Sequence, residues 1–284
     1  MNYDVMKYIA YDHIGLDFYT AKHCNLKCRG CIRFANIAKP QFYDYDQYVL
    51  DVNKIKDLGI IPEYITISGG EPLLHPRAIE FLELARKVFP TIDLGISSNG
   101  ILFTKQTDDW YRRLASLGAS FTYTKYPTTA VDYDKIHELG EKYGIDIINI
   151  NSLSFFTKNT DPLGTRNELD THHLRKPKDN ETVALPEIKK LCICGGDCPA
   201  IFNGKLFQCG IACNVNALNE KYHTDFKVTE DCYLEVSKIT SKEELYKFLL
   251  KPTSFCRYCY NNENHKFKWE RGVVDKDDWL KYYE

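Results

Sequence analysis

The sequence predicts an α/β fold, in which a parallel sheet covered by helices is followed by a smaller, cysteine-rich module. Three observations lead to this prediction. Strand-forming runs alternate with amphipathic helical segments from about residue 14 to residue 150. Short polar or glycine-containing motifs follow the first three strands, at the edge where parallel sheets carry their chemistry. Eight of the eleven cysteines lie between residues 192 and 259.

The predicted strands are short apolar runs, and they cover residues 14–20, 64–68, 92–97, 121–125 and 145–150. Helices are predicted between them at residues 44–58, 76–89, around 110–117 and at 133–143, with Gly59, Pro90 and Gly118 ending the first three. Repeated strand–helix pairs indicate parallel strands joined by right-handed crossovers. Periodicity leaves open whether the sheet closes into a barrel.

Residues 151–191 are polar and weakly periodic, which predicts a long loop over the site or a linker that contains one more strand. The composition changes after Leu191, where cysteines become frequent. We therefore predict a first domain at residues 1–185, which ends in the polar stretch at about 151–185, and a second domain at residues 186–284.

Composition and charge exclude several classes of protein. The formal net charge is −2 and the Lys and Arg residues are scattered, so we expect neither a nucleic-acid partner nor an anionic membrane. No stretch approaches the roughly 20 apolar residues of a membrane span, and the acidic N-terminus lacks a secretory h-region. These features predict a cytoplasmic protein, whose cysteines are expected to be metal ligands or catalytic thiols rather than disulfides.

Cys24, Cys28 and Cys31 follow the first strand in the order CNLKCRGC. Three thiolates hold three irons of a [4Fe–4S] cluster and leave the fourth iron open, as in a reactive rather than a structural metal site. Zinc and buried structural thiols are the competing interpretations, but zinc usually takes four ligands and the neighbouring His23 is poorly placed as the fourth. The spacing resembles the cluster motif of the radical S-adenosylmethionine (SAM) superfamily, in which SAM chelates the fourth iron.

A second motif, ISGGEP at residues 67–72, follows the second strand. Gly69 and Gly70 allow a ligand to approach the backbone closely, and Glu71 offers a carboxylate that suits a ligand ammonium. An ordinary tight turn is the competing interpretation. Because the cysteine motif precedes it, the segment resembles the GGE motif of the superfamily, which binds the amino group of SAM.

Two weaker matches and one departure complete this resemblance. Ser98-Asn99-Gly100 resembles a TNG-like segment near the methionine moiety of SAM, and Thr124 lies where the superfamily often places a hydroxyl near the ribose. The residue before the third cysteine is often aromatic in the superfamily and packs near adenine, but here it is Gly30. The adenine contacts are therefore left unassigned, with Ile32 and Phe34 as candidates.

The second module contains a predicted β-hairpin. Asn203-Gly204 lies between two apolar runs, which indicates a type I′ turn. Counting outward from the turn, the expected partners are Phe202 with Lys205, Ile201 with Leu206, and Cys198 with Cys209. Cross-strand partners share one face, so the two sulfur atoms are expected to point to the same side.

A later CxxC pair, Cys256 and Cys259, supplies two more thiols. Together with the hairpin it resembles the Twitch auxiliary-cluster domain, a shortened SPASM domain, and implies one auxiliary [4Fe–4S] cluster held by Cys198, Cys209, Cys256 and Cys259. Cys192 and Cys194 compete with Cys198 for the first ligand position, and a zinc ribbon is the competing interpretation of the module. Cys213 and Cys232 are candidates for a thiol hydrogen donor.

The resemblance implies a partial TIM-like barrel of five or six β/α units, with an electron delivered by a flavodoxin or ferredoxin-type donor. SAM would be cleaved to a 5′-deoxyadenosyl radical that abstracts hydrogen from a small polar substrate. Small Twitch enzymes include an aminocyclitol dehydrogenase, so we expect an oxidoreductase or epimerase acting on a sugar, nucleotide sugar or aminocyclitol. The alternatives are a maturase of a ribosomal peptide or protein side chain and, in another class, a non-catalytic zinc or iron–sulfur binding protein.

Overall fold

The computed structural model describes residues 14–150, 168–175 and 199–280. The strands of its main sheet are β1 (Gly15–Ala21), β2 (Tyr64–Gly69), β3 (Asp93–Ser98), β4 (Ser120–Tyr123), β5 (Ile147–Asn149), β7 (Ala200–Phe202), β8 (Lys205–Phe207) and β9 (Tyr233–Glu235). Within the described ranges they form one open sheet in the order β5-β4-β3-β2-β1-β7-β8-β9. β1 to β5 are parallel, as predicted. The expected α/β fold is therefore confirmed, and the sheet is open rather than closed into a complete barrel.

The helices between the parallel strands are α1 (Tyr45–Asp57), α2 (Ala78–Val88), α3 (Asp108–Ser116) and α4 (Tyr133–Tyr143). The side chains of Asp44, Thr107 and Asp132 accept hydrogen bonds from first-turn amides and so begin α1, α3 and α4. Gly144 ends α4 in the left-handed conformation at φ 71°. These local signals explain why the predicted strand and helix bounds are confirmed to within two residues.

The two faces of the sheet differ in chemistry. On the helix-covered face, Phe18 of β1 packs edge-on against Tyr48 of α1, with ring centroids 4.9 Å apart, and Tyr48 contacts Phe81 of α2 at 4.4 Å. The opposite, concave face carries small polar residues: a Cβ added to Gly95 would lie 3.0 Å from Ser120 Oγ and 3.9 Å from Thr66 Oγ1. By the strand period of two, this face also carries Asp17, Ser68, Ser97 and Thr122.

The predicted hairpin is present, and its register is confirmed. β7 and β8 pair Phe202 with Lys205 and Ile201 with Leu206, and Asn203 and Gly204 have φ angles of 43° and 78°. Both positive angles are those of a type I′ turn. β7 also pairs in parallel with β1, so the hairpin extends the main sheet beyond its first strand. The domain boundary at residue 185 stays a prediction.

A smaller sheet and three helices complete the described structure. β6 (Glu168–Leu174) pairs antiparallel with β10 (Cys259–Lys268), so the polar stretch does contain one more strand. The helices of the C-terminal part are α5 (Gly210–Asn214), α6 (Asn216–Tyr222) and α7 (Lys242–Leu250). No helix in these ranges is both long enough and apolar enough to cross a membrane.

Candidate cluster and cofactor site

The three-cysteine motif forms a tightly wound loop directly after β1. Its backbone is closed by hydrogen bonds from Cys24 N to Ala35 O at 3.1 Å and from Phe34 N to Cys31 O at 2.8 Å. Gly30 has a φ of 56°, a left-handed angle that glycine adopts without cost. The glycine found where the superfamily often has an aromatic residue is therefore explained by the path of this loop.

The three thiols lie close enough to influence each other electrostatically. Burial is the largest cause that raises the pKa of Cys24, to about 11, and of Cys28 still further, and nearby thiolate charge adds to both. Hydrogen bonds to Cys24 Sγ from Leu26 N at 3.4 Å and Asn99 Nδ2 at 3.3 Å oppose this rise. Iron binding would deprotonate such thiols, because thiolates are the ligands.

The donor set of three cysteines fits a cluster better than a single metal ion. No group of three His, Cys, Asp or Glu side chains in the described residues converges closely enough to hold one ion. Cluster ligands need not converge on a point, because each thiolate binds a different iron. The donor set of Cys24, Cys28 and Cys31 thus fits the [4Fe–4S] group and disfavours the zinc interpretation.

Gly69 and Gly70 bring the loop after β2 against the cysteine loop. A Cβ added to Gly69 would lie 2.2 Å from Ala21 O, and one added to Gly70 would lie 2.2 Å from His23 O. Gly70 N donates to Ala21 O at 2.7 Å, so the backbones are in direct contact. The structure thus gives these glycines a packing reason in addition to the expected ligand contact, which stays a prediction.

Glu71 is fully buried and joins its own loop to the loop that follows β3. Its Oε1 accepts from Ser98 Oγ at 2.8 Å and from Leu73 N at 3.0 Å, and its Oε2 accepts from Asn99 N at 2.9 Å. Burial raises the pKa of Glu71 to about 7, and the three donors oppose this shift. Because both oxygens already accept from this chain, the carboxylate acts first as a positioning group for the loops around it.

The remaining cofactor candidates lie in the same place. Asn99 Nδ2 donates to Asn25 Oδ1 at 2.8 Å as well as to Cys24 Sγ, so it joins the loop after β3 to the cysteine loop. Thr124 N donates to Ser98 O at 3.3 Å, which places this partly exposed threonine beside Ser98. The structure therefore brings Cys24, Glu71, Ser98, Asn99 and Thr124 together at the carboxyl ends of β1 to β4.

Phe34 is not available for an adenine. Only 2% of it is exposed, and its ring packs against Trp279 with centroids 5.9 Å apart. The expectation that Phe34 contacts the cofactor is therefore wrong, because the residue belongs to the core. Ile32 is partly exposed and stays a candidate.

A polar network lies on the concave face beside these loops, and the sequence analysis did not anticipate it. Arg33 donates to Ser68 Oγ at 2.8 Å, to Gly69 O at 3.0 Å and to Asp17 Oδ2 at 3.1 Å, while the Ser68 hydroxyl donates to Asp17. Burial raises the pKa of Asp17, although Arg33 opposes the rise. The sequence feature that could have indicated this network is the alternation of polar and apolar residues along β1 and β2, which places the polar side chains on one face of the sheet.

The C-terminal part of the chain also reaches the cysteine loop, and nothing in the sequence indicated this. Arg29 donates through Nε to both carboxylate oxygens of Asp278 at 3.0 Å, and Trp279 Nε1 donates to Cys31 O at 3.1 Å. Gly272 N donates to Lys27 O at 2.8 Å. The loop is therefore held from outside by residues almost 250 positions away in sequence.

The auxiliary-cluster cysteines are only partly described. Cys209, Cys256 and Cys259 are partly exposed, while Cys192, Cys194 and Cys198 lie outside the described residues. The pairing of Cys198 with Cys209 and the auxiliary cluster itself stay predictions.

The two candidate thiol donors are both buried but lie in different surroundings. Cys213 lies in α5, the helix that begins directly after Cys209. It is near Lys22, Arg33 and Asp17 of the concave face. Cys232 contacts Thr229, Asp231 and Ser254 within the C-terminal part.

An open parallel sheet with a three-cysteine loop after its first strand and a GGE loop after its second is typical of a radical SAM domain. Residues 18–151, just under half of the chain, match the radical SAM superfamily. Its enzymes use a [4Fe–4S] cluster and SAM.

Similar proteins include GTP 3′,8-cyclases. That of Thermodesulfovibrio yellowstonii is 33% identical over 92 residues, which cover 31% of this chain and 28% of the cyclase. That of Campylobacter jejuni strain RM1221 is 28% identical over 172 residues, or 60% of this chain and 50% of the cyclase. The chain thus spans half or less of the length of these relatives.

The histidine-tagged form of anSMEcpe with bound AdoMet has a similar fold, with a TM-score of 0.50 at 16% identity over 87% of this chain and 84% of that one.

Proposed function

We propose that this protein is a radical SAM enzyme that abstracts a hydrogen atom from a ring carbon of a small, hydroxylated substrate and then oxidises or epimerises that carbon. The observation that carries the proposal is the polar concave face, which lies directly beside the cysteine loop and the Glu71 network. Bound cluster and SAM supply the radical that removes the hydrogen. The residues of the chain hold the cofactor, position the substrate and limit access of water.

The concave face suits hydroxyl groups. Ser68, Asp17 and Arg33 already form a hydrogen-bonded network, in which the guanidinium fixes the direction of the carboxylate. The side chains of Thr66, Ser97 and Thr122 on the same face are partly exposed and are both donors and acceptors. A sugar or aminocyclitol offers the matching groups, whereas an apolar substrate would leave these side chains without partners.

We propose Cys213 as the residue that returns a hydrogen atom. Its helix packs on the concave face, because a Cβ added to Gly210 would lie 2.4 Å from Tyr19 Oη. Lys22 Nζ donates to Cys213 O at 2.7 Å and fixes this turn. Burial raises the pKa of Cys213 to about 11, so the thiol keeps its hydrogen at neutral pH. These contacts favour Cys213 over Cys232 as the donor in an epimerisation.

Cyclisation of a purine nucleotide is a second candidate, favoured by the similarity to GTP 3′,8-cyclases. A triphosphate requires several cations with unsatisfied donors. Lys22 and Arg33, which lie beside the concave face, donate to groups of the chain itself. The described residues therefore support the sugar-like substrate more strongly. In either case we propose a flavodoxin or ferredoxin-type electron donor.

The first test is anaerobic reconstitution followed by reduction with dithionite in the presence of SAM. Formation of 5′-deoxyadenosine is expected, together with about eight irons per chain if both clusters form and about four if only the first does. Substrates deuterated at ring carbons should then transfer deuterium into 5′-deoxyadenosine. A product that has lost two hydrogens relative to the substrate indicates dehydrogenation. Incorporation of hydrogen from the solvent at the reacting carbon indicates epimerisation, and this incorporation should be lost in Cys213→Ala. Transfer from labelled GTP alone would replace the first candidate with the second.

A separate prediction concerns the auxiliary cluster. Cys209→Ala is expected to lower the iron content by about one cluster, or roughly four irons per chain, and to leave part of the SAM cleavage. Iron and sulfide analysis of the reconstituted variant measures this. Unchanged iron would exclude Cys209 as a required ligand.

A further inference from the structure

Trp269 packs against the cysteine loop from the C-terminal part of the chain. The residue is 7% exposed and forms a small apolar cluster with Leu26, against which Cys24 and Cys28 pack. Its indole stacks on Tyr126, with ring centroids 5.3 Å apart and an interplanar angle of 18°. The indole is thus held between the cysteine loop and the segment that follows β4.

The indole N–H of Trp269 has no acceptor. Nε1 is buried and makes no hydrogen bond in the part of the chain that the structure describes. A buried tryptophan N–H usually finds a partner, because an unpaired buried donor costs about 1–3 kcal/mol. The neighbouring Trp279 follows this rule, since its Nε1 donates to Cys31 O.

The thiol of Cys28 is the neighbouring group that could accept this hydrogen bond. The Cys28 side chain packs against the Trp269 cluster, but the indole N–H makes no hydrogen bond to its sulfur in the described structure. A neutral thiol is a weak acceptor, whereas a thiolate accepts hydrogen bonds strongly. The indole N–H therefore gains a strong acceptor only when Cys28 binds iron as a thiolate.

The backbone around Trp269 keeps the indole in this position. Arg29 N donates to Glu270 O at 2.9 Å, and Arg271 Nε donates to Leu26 O at 3.2 Å. Cys28 and Arg271 form an isolated antiparallel bridge. The segment around Cys28 is thus paired with the residues that follow Trp269, which fixes the backbone positions of the two residues relative to each other.

We infer that Trp269 Nε1–H donates a hydrogen bond to Cys28 Sγ of the bound cluster and thereby raises its reduction potential. This inference rests on the proposed cluster at Cys24, Cys28 and Cys31. Hydrogen bonds to the sulfurs help to set the potential of an iron–sulfur cluster, because they stabilise the more negative, reduced state. Trp269 is a positioning and tuning residue, and it makes the cluster easier to reduce by its electron donor.

The test is a redox titration of the reconstituted protein, followed by the EPR signal of the reduced cluster. Trp269→Phe keeps an aromatic ring against Tyr126 but removes the N–H, and its midpoint potential is expected to be more negative than that of the wild type at equal iron content. Trp110→Phe is the matched control, because Trp110 is a buried tryptophan that packs on Phe103 of the barrel. An unchanged potential in Trp269→Phe, or an equal shift in both variants, would overturn the inference.

A second measurement detects the indole nitrogen directly. In protein labelled with ¹⁵N at the indole nitrogen, pulsed EPR of the reduced cluster should detect a ¹⁵N coupling that Trp110→Phe retains and Trp269→Phe loses, a comparison that separates Trp269 from Trp279, whose Nε1 donates to Cys31 O. Absence of this coupling in a protein that holds iron and cleaves SAM overturns the inference but leaves the proposed function intact. Failure to form a reducible cluster overturns both.

Discussion

Cys28→Ala is expected to abolish the cleavage of SAM. The substitution leaves Cys24 and Cys31 as ligands and removes the thiolate of a third iron, so the cluster loses one of its three protein bonds. Alanine keeps the backbone bridge between residue 28 and Arg271, because that contact uses main-chain atoms. The loss should therefore be chemical rather than structural. The measurement is 5′-deoxyadenosine formation, with the iron content of the same sample.

The control for this experiment is Cys232→Ala. It also removes a buried thiol, but one whose contacts lie with Thr229, Asp231 and Ser254, away from the cysteine loop. This variant should retain iron in the first cluster and continue to form 5′-deoxyadenosine. Cleavage of SAM by Cys28→Ala at the wild-type rate would disprove the assignment of the loop as the cluster site.

Glu71→Gln is expected to weaken SAM binding at least tenfold. The amide that replaces one oxygen cannot accept a hydrogen bond, so at least one of the donors Ser98 Oγ, Leu73 N and Asn99 N loses its partner. Hydrogen bonds to a charged group are worth about 1.5–3 kcal/mol each, and tenfold in affinity corresponds to about 1.4 kcal/mol. Equilibrium binding of SAM to the reconstituted variant measures the effect, with the exposed Glu141→Gln as control.

The same substitution changes the pH dependence of stability. The pKa of Glu71 is about 7 in the folded protein and near 4.5 in the unfolded chain, so the folded state holds a proton that the unfolded state has released. The free energy of unfolding should therefore decrease as the pH rises from about 5 to 7, by about 2 kcal/mol. Urea unfolding of the metal-free protein should show a steeper decrease in the wild type than in Glu71→Gln, in which groups such as Asp17 still contribute. Equal slopes would contradict the assigned shift.

The parts of the fold that were predictable are those specified locally. Asn203-Gly204 can adopt two consecutive positive φ angles, and this alone fixes the register of β7 and β8. The convergence of Cys24, Glu71 and Asn99 was also predictable, because each follows a parallel strand and such strands end at one edge.

The parts that were not predictable depend on contacts between distant residues. The pairing of Arg29 with Asp278 and the packing of Trp269 on Leu26 join positions that no turn or period relates. Likewise, Phe34 is an aromatic residue that could stack on a ligand, and only its burial beside Trp279 shows that it belongs to the core. That Glu71 accepts hydrogen bonds from within the chain could not be predicted either, because it depends on where the fold places its three donors.

The place of β1 in the sheet has a consequence for how the chain folds. β1 lies between β2 and β7, and its contact with β7 is made through pairs such as Asp17 with Ala200. While the chain is being synthesised, one edge of β1 therefore stays unpaired until residue 200 has left the ribosome. An unpaired apolar strand edge is prone to aggregation. The segment 18–151, although it is the part that matches the superfamily, is thus not expected to be an independent folding unit, and a fragment that ends there should be poorly soluble.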